Sequence, residues 1–488
     1  MSDLPRGGHI HLIAICGVGM APLAGLLLSQ GYRVTGSDQN VYPPMSDYLA
    51  GLGIKALSGY DAEHLDDRPD LVVVGNVVSR SNPEVQEMLR VAIPYLSFPQ
   101  ALGKFLIGPK RSLVVAGTHG KTTTSALMAW VLAKAGWEPS FFIGGLPRNF
   151  GSGFRQGSGG WVVLEGDEYD SAFFDKGPKF LHYRPEKVIL TSLEFDHADI
   201  YRDLDHLKNA FRGLMEMIPS SGTLLLCNEY QAAKDVAAFA RCPVVFYGDG
   251  EPRGWQARNI RVSGGASWFE PFDGQNLEGE VKVSLIGRHN VSNALAVYVM
   301  ARELGIGPEV IREGMESFGG VKRRQELKGE VGGITLLDDF AHHPTAVQGT
   351  IEAVRSAYPG RRLWAIFEPR SNTSRRRVFA REFPRALGVA DRIVVAGLYQ
   401  PEKIPLEERL PAEEVVQEIN RTSGEGRAVL IERADEIAQY VAGEALQGDV
   451  IVVMSNGGFD GVQEKILNLL NERSASEIAE GKPYAKDR

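Results

Sequence analysis

The sequence predicts an α/β protein of three domains on largely parallel sheets, with Rossmann-like N-terminal and C-terminal domains flanking a central phosphate-loop domain. Three observations predict it. Short runs rich in valine, isoleucine and leucine recur along the chain, each followed by turn or helix signals. At 488 residues the chain exceeds what one hydrophobic core serves, and roughly 100–200 residues per domain gives about three. One turn, GTHGKTTT from Gly117, has the strand–loop–helix setting of a phosphate site.

Taken in order, residues 1–108 open with the strand HIHLIAI, turn at CGVGMAP, run through an apolar helix to Gln30 and resume as YRVTGSD, ending at Asp38. The strands DLVVVGN and IPYLSF complete a small doubly wound domain. Residues 109–320 begin with SLVVAG, the loop and a helix in which Leu127, Met128, Val131 and Leu132 recur at helical spacing. WVVLEGDEYD, KVILTSLEFDH, TLLLCNE and CPVVFYG follow, then a helix starting around Asn290. Residues 321–472, after Gly319-Gly320, carry ITLLDD, RLWAIFEP, RIVVAGLY and DVIVVMSN; residues 473–488 read as a charged, mobile tail.

Composition narrows the function. A net charge of −8, with 23% charged and 43% apolar residues, gives no electrostatic reason to bind nucleic acid or membrane. Cys16, Cys227 and Cys242 are too few for a disulfide framework and lack metal-site spacing. MSDLPRGGHI has no apolar signal core, and no run of 18 apolar residues occurs. A soluble cytoplasmic enzyme of small molecules, a monomer or weak homo-oligomer, is expected.

In the loop, backbone N–H groups and the helix N-terminus can cradle phosphate, Lys121 can neutralise it, and the Thr122 hydroxyl can ligate Mg²⁺. Gly117, Thr118, His119, Gly120, Lys121, Thr122 and Thr123 are therefore the expected ATP site. The loop is shorter than GxxxxGK[ST]: two residues separate Gly117 from Gly120, and Val115 stands where the first glycine would be. Glu165 and His197 end later strands of the same region, where ligand crevices form. A carboxylate suits Mg²⁺, whereas an imidazole is less usual and, taken alone, reads as a structural histidine.

These residues look like those of the Mur ligases of peptidoglycan synthesis, and the resemblance spans nearly the whole chain. GTHGKTTT, EGDEYD, FDH, GRHNVSNALA, KRRQE and LLDDFAHHPTA appear in the family's order. The resemblance implies that Lys121 and Thr122 hold triphosphate and magnesium, and that Glu165 and His197 serve a second magnesium. It implies that Asn290 and Asn293 meet adenine with His289 nearby, that Arg324 (or Arg323) and Asp339 close over the nucleotide, and that His343 approaches the reaction centre. The expected reaction transfers the γ-phosphoryl of ATP to a carboxylate, and an amine then attacks the acyl-phosphate. His343 or His342 could take the amine proton. Several family members carry a modified lysine after the His197 position; here Phe211 and Arg212 lie near that place and Lys208 elsewhere, resembling the branch that acts on UDP-N-acetylmuramate itself.

In the first domain GVGMAP departs from G-x-G-x-x-G, with Pro22 for the third glycine, yet Gly17 and Gly19 permit close approach to a diphosphate. By resemblance the ligand there is the UDP end of the sugar nucleotide, with Ser37 or Asp38 in contact. Within the family, GSDQNVYPPMSDYL, EYDSAFFDKGPKFLHY, FEPRSNTSRRR and VMSNGGFDG resemble the branch that adds L-alanyl-γ-D-glutamyl-meso-diaminopimelate, a recovered cell-wall tripeptide. Arg370, Ser371, Asn372, Thr373, Ser455 and Asn456 would offer donors to peptide carboxylates. For the serines and asparagines ordinary turn chemistry competes, and Arg375, Arg376 and Arg377 read as a solvated helix face. Addition of free L-alanine, or a phosphate-loop switch that makes no bond, are the rival functions.

Overall fold

The computed structural model describes residues 4–5, 7–42, 45–250 and 254–479, with side chains as far as residue 476. The chain divides into two compact units: Met1–Glu194, Leu204–Gln256 and Leu295–Gly314, and Phe195–Asp203, Ala257–Ala294 and Met315–Arg488. Three α/β sheets carry the architecture, two in the first unit and one in the second.

The strand His9–Ile13 is buried throughout and sits at the centre of a parallel five-stranded sheet. It pairs with Arg33–Asp38 on one side and Leu71–Val74 on the other. The chain therefore changes direction of winding beside this strand, and the turn Cys16–Gly19 leaves from the carboxyl end where such sheets form a crevice. The second sheet has seven strands, with Arg111–Ala116 between Pro185–Leu190 and Trp161–Gly166, all parallel. Helix Lys121–Lys134 follows this central strand, and Leu127, Met128, Val131 and Leu132 are fully buried. Its apolar residues cover the sheet, so burial fixes the helix that begins at the loop.

In the second unit the sheet order is Glu326–Val331, Ile334–Asp339, Val450–Met454, Leu363–Phe367, Arg392–Ala396 and Ala428–Ile431. Glu326–Val331 runs antiparallel to its neighbour, and the remaining pairs are parallel. Alternation along Leu363–Phe367 divides the core: Leu363, Ala365 and Phe367 pack on one face, Trp364 and Ile366 on the other. The carboxyl ends of Ile334–Asp339, Val450–Met454 and Leu363–Phe367 lie side by side, and the last of these strands in sequence enters between the other two.

Two local features differ from expectation. An antiparallel sheet of Gln256–Ser263, Ala266–Phe272 and Val281–Val283 precedes the helix Arg288–Glu303. The final helix runs from Val462 through Ala479, so residues 473–479 continue a helix whose earlier turns, at Ile466 and Leu470, are buried in the core, rather than starting a separate tail. The rest of the expected tail, 480–488, lies outside the described residues. Among the described residues no helix is long and apolar enough to cross a membrane.

Candidate active site

The phosphate loop is built by backbone conformation. Gly117 has φ +130° and Gly120 φ +79°, both in the region that favours glycine. A Cβ on Gly117 would also lie 2.4 Å from Thr191 Oγ1 and 2.8 Å from the Ser192 carbonyl. The neighbouring strand end then pins the loop: His119 N donates to Ser192 Oγ at 2.8 Å, and the Thr118 hydroxyl donates to the Glu194 carbonyl at 3.0 Å.

At the end of this loop Lys121 Nζ donates to the Gly117 carbonyl at 2.7 Å and to Glu168 Oε2 at 2.8 Å. Burial works against its charge, yet the carboxylates of Glu168, Asp167 and Glu165 outweigh that and hold the ammonium above its ordinary pKa. The Thr122 hydroxyl donates to Glu165 Oε1 at 2.7 Å, and Gly144 N donates to Oε2 at 2.7 Å. Burial and then the charge of Asp167 push the Glu165 carboxyl up. Asp167 is held below its usual range, because Lys179 and Lys121 more than offset its burial; Lys179 Nζ lies 2.9 Å from it. Thr123 is buried behind the loop.

In the N-terminal domain Asp38 caps the glycine turn, accepting from Cys16 N at 2.9 Å and from Asn40 N at 2.9 Å. Ser37 is placed differently from expectation. It is fully buried and its hydroxyl donates to Glu84 Oε2 at 2.6 Å, because the equally buried Glu84 covers its side of the strand Arg33–Asp38. Gly19 lies against Phe98, where a Cβ would come within 3.2 Å of the ring, so its lack of a side chain serves packing.

In the second unit Asp339 ends its strand and accepts from Ala341 N at 2.8 Å, Gln325 N at 2.8 Å and the Thr350 hydroxyl at 3.1 Å. Asn290 and Asn293 share the first turns of helix Arg288–Glu303, but both are buried. Asn290 Nδ2 donates to the Ile286 carbonyl at 2.9 Å and to Gln325 Oε1 at 2.9 Å, while Asn293 Nδ2 donates to Asn290 Oδ1 at 3.3 Å. Gln325 is thus the hub, with Nε2 3.3 Å from His289 Nε2 and φ +51°. The adjacent arginines separate: Arg323 donates through Nη2 to the carbonyls of Ser455 and Gly457, whereas the Arg324 guanidinium lies 4.6 Å from the Phe340 ring centre.

His343 caps the helix Pro344–Ala357, with Nδ1 accepting from Thr345 N at 3.3 Å and Nε2 3.2 Å from the Phe195 carbonyl. Both ring nitrogens are occupied, which suits orientation better than proton acceptance. His342 is the freer imidazole: Nδ1 meets the Phe340 carbonyl at 3.0 Å and Nε2 lies 3.8 Å from Asp196 Oδ2. Burial lowers the His342 pKa despite that carboxylate. Asp196, for its part, stays far below the usual range: burial opposes its charge, but His197, His342 and His343 surround it. His197 itself holds φ +54°.

The expected peptide-binding residues divide in two. Ser371, Asn372 and Thr373 are taken up by their own loop: the Ser371 hydroxyl donates to Ser374 Oγ at 2.9 Å, Asn372 Nδ2 donates to Asp199 at 2.8 Å, and Thr373 Oγ1 accepts from Ala198 N at 3.2 Å. Ser455 is fully buried and donates to Glu368 Oε2. Arg370 and Asn456 have polar atoms to offer, since among the described residues Asn456 Oδ1 is buried without a hydrogen-bond partner and Arg370 Nη2 makes no hydrogen bond. Arg375 overturns its expected place on a solvated helix face. It is buried outside any helix and donates to the carbonyls of Tyr399 at 2.7 Å and Ser371 at 3.3 Å, and to Asn372 Oδ1 at 2.8 Å.

Sequence reasoning missed Asp167, Glu168, Gln325 and Glu368. The first two stood within the quoted EGDEYD, and Glu368 within FEPRS, so an acid next to each chosen residue was the available signal. Gln325 stood within the quoted KRRQE, but its bond to Asp339 depends on a backbone conformation, φ +51°, that the motif does not announce.

Comparisons with known proteins extend these observations. Three family models match in succession: Mur ligase family, catalytic domain, at 9–108; Mur ligase middle domain at 115–301; and Mur ligase, glutamate ligase domain, at 323–457. The chain is 42% identical to the UDP-N-acetylmuramate–L-alanyl-γ-D-glutamyl-meso-2,6-diaminoheptandioate ligase of Escherichia coli (strain K12), covering 96% of this chain and 99% of that protein. It is 35% identical to the UDP-N-acetylmuramate–L-alanine ligase of Variovorax paradoxus (strain S110), covering 94% and 95%. Among solved structures, a murein peptide ligase from Psychrobacter arcticus 273-4 superimposes with TM-score 0.71 at 36% identity, covering 95% of this chain and 99% of that one.

Proposed function

The chain belongs to the Mur ligase family of ATP-dependent ligases, and from that premise we propose that it joins UDP-N-acetylmuramate to L-alanyl-γ-D-glutamyl-meso-diaminopimelate through an acyl-phosphate. The observation that carries the substrate choice is the strand-end crevice of the second unit, where Arg370 and the orphaned Asn456 acceptor offer a cation and a carbonyl to a polar, acidic chain. A buried unpaired acceptor costs about 1–3 kcal/mol, which a ligand N–H would recover. The higher identity to the tripeptide ligase than to the alanine ligase supports the same choice.

A carboxylate is a poor electrophile, so the chemistry begins with its phosphorylation. Lys121 and the loop N–H groups hold the transferring phosphoryl and stabilise its spread charge. Mg²⁺ fits the residues present: Thr122 and Glu165 form an oxygen donor pair, and the carboxylates of Glu165, Asp167 and Glu168 gather beside Lys121 and Lys179. Bound there, it would neutralise phosphate charge. Arg324 and Asp339 serve the nucleotide. Asn290 and Asn293 act on its adenine side through Gln325, which Asn290 holds and which reaches His289, and His289 lines a cavity of about 790 Å³ with Thr345 and Gly349. His343 orients, and His342 is the better placed proton acceptor for the incoming amine.

Gly17, Gly19 and Asp38 shape the turn that takes the UDP end, with Ser37 supporting it from behind. Residues 1–108, 109–320 and 321–472 accordingly serve sugar nucleotide, ATP and peptide. We place the work in the cytoplasm, in recovery of cell-wall peptide, on small-molecule substrates. Mass analysis of the product tests the class: one amide-linked UDP-muramoyl tripeptide should form per phosphate released. Phosphate release with no such product would make the chain a switch.

A further inference from the structure

Around Arg370 the second unit has assembled more than a turn requires. Glu368, at the end of the strand Leu363–Phe367, is buried, and a buried carboxylate stays charged only when paired. Here the Ser455 hydroxyl donates to Oε2, and Arg370 Nη1 donates to Oε1 at 3.2 Å. The guanidinium also lies 3.7 Å from the Tyr399 ring centre, in stacking distance. Its third side is closed by the backbone at Gly457, where a Cβ would fall 1.7 Å from Arg370 Nε. Gly457 is absent from the positive-φ residues, so this glycine is needed for space and not for conformation.

Arg375 binds the two loops into one piece, since its Nη1 donates to the Tyr399 carbonyl and its Nη2 to Asn372 Oδ1. The guanidinium is thereby held by Glu368, the Tyr399 ring and the Gly457 backbone, while among the described residues its Nη2 makes no hydrogen bond and the side chain remains about 21% exposed. A free surface arginine would have to surrender rotamer freedom on binding; this one has already lost it. The Glu368 pair offsets its net charge, so the gain is in direction more than in long-range attraction.

We propose that Glu368, Tyr399 and Gly457 are positioning residues that hold Arg370 as a preformed receptor for a carboxylate of the amine-bearing substrate. The inference rests on the reading of the chain as a ligase of an acidic peptide. A merely structural ion pair would affect stability or all substrates alike; a receptor affects one KM.

The test measures kcat and the three KM values, with melting temperatures, for wild type, E368Q, Y399L, Y399F, G457A, R370A and the double variant E368Q/R370A. Tripeptide KM should rise roughly tenfold in E368Q, Y399L and G457A, with kcat and the KM values for ATP and UDP-N-acetylmuramate within about twofold. Y399F should stay near wild type because it keeps the ring. The double variant should bind peptide no worse than R370A, since Glu368 acts through Arg370. Additive losses, equal changes in all three KM values, or a kcat loss at unchanged peptide KM would overturn the proposal. If G457A does not fold, E368Q and the double variant decide. A wild type that ignores the tripeptide would fail the substrate reading instead, and the same series run with whichever amino acid is ligated would still test the receptor.

Discussion

The proposed phosphate loop and the proposed Arg370 crevice each hold a cation in place, but they draw on the sequence differently. The loop takes its shape from consecutive residues, Gly117 to Thr122, and its N–H groups need no side chain to bind phosphate. The crevice takes Glu368, Tyr399, Ser455 and Gly457 from the ends of three strands, and each supplies a side chain or the lack of one. Backbone sites of the first kind tolerate little variation and announce themselves; side-chain sites of the second kind can be retuned for a new substrate. The contrast fits a shared phosphoryl step coupled to a variable amine.

The sharpest attempt to break that contrast is at the loop. Lys121→Ala should lower product formation by roughly 10³-fold or more while leaving UDP-N-acetylmuramate binding nearly intact by calorimetry; retained turnover would remove the loop from the chemistry. Glu165→Gln should cost about 10²-fold in kcat and raise the magnesium needed for half-maximal rate, read from a metal titration; an unchanged titration would leave Glu165 a purely structural partner of Thr122.

At the crevice the effect should be smaller and confined to one substrate. Arg370→Ala is expected to reduce kcat/KM for the tripeptide by roughly 10- to 100-fold with KM for ATP unmoved. Arg375→Ala should act on stability instead, by about 3 kcal/mol in denaturant melts, because it leaves buried carbonyls without their donor. The smallest effect belongs to Ser37→Ala: about 1 kcal/mol of stability for the lost bond to Glu84, and no change in KM for UDP-N-acetylmuramate. A large rise in that KM would return Ser37 to the ligand site.

Much of the fold was legible because apolar runs and turn glycines are local signals: the strands around His9–Ile13 and Arg111–Ala116 and the helix from Lys121 stand where the sequence places them. The final helix, running through Ala479, was hidden because its buried residues are sparse among charges. For the proposed site, motif spacing singles out Lys121, Glu165 and Asp339. It does not show which way a side chain points. Ser37 and Asp38 are both buried yet meet different partners, Glu84 and the Cys16 backbone, and Arg375 is buried inside a run of three arginines, because residues from other elements and loop closure decide where each side chain lies. Asn290 is expected to contact the ligand, and its amide donates to Gln325, whose backbone N–H in turn bonds Asp339.

The most direct test of the central claim compares phosphate release from ATP with UDP-N-acetylmuramate and either L-alanyl-γ-D-glutamyl-meso-diaminopimelate or L-alanine. The account predicts that the tripeptide supports turnover with the higher kcat/KM. Preference for L-alanine would contradict the peptide assignment of the crevice while leaving the phosphate loop's role intact.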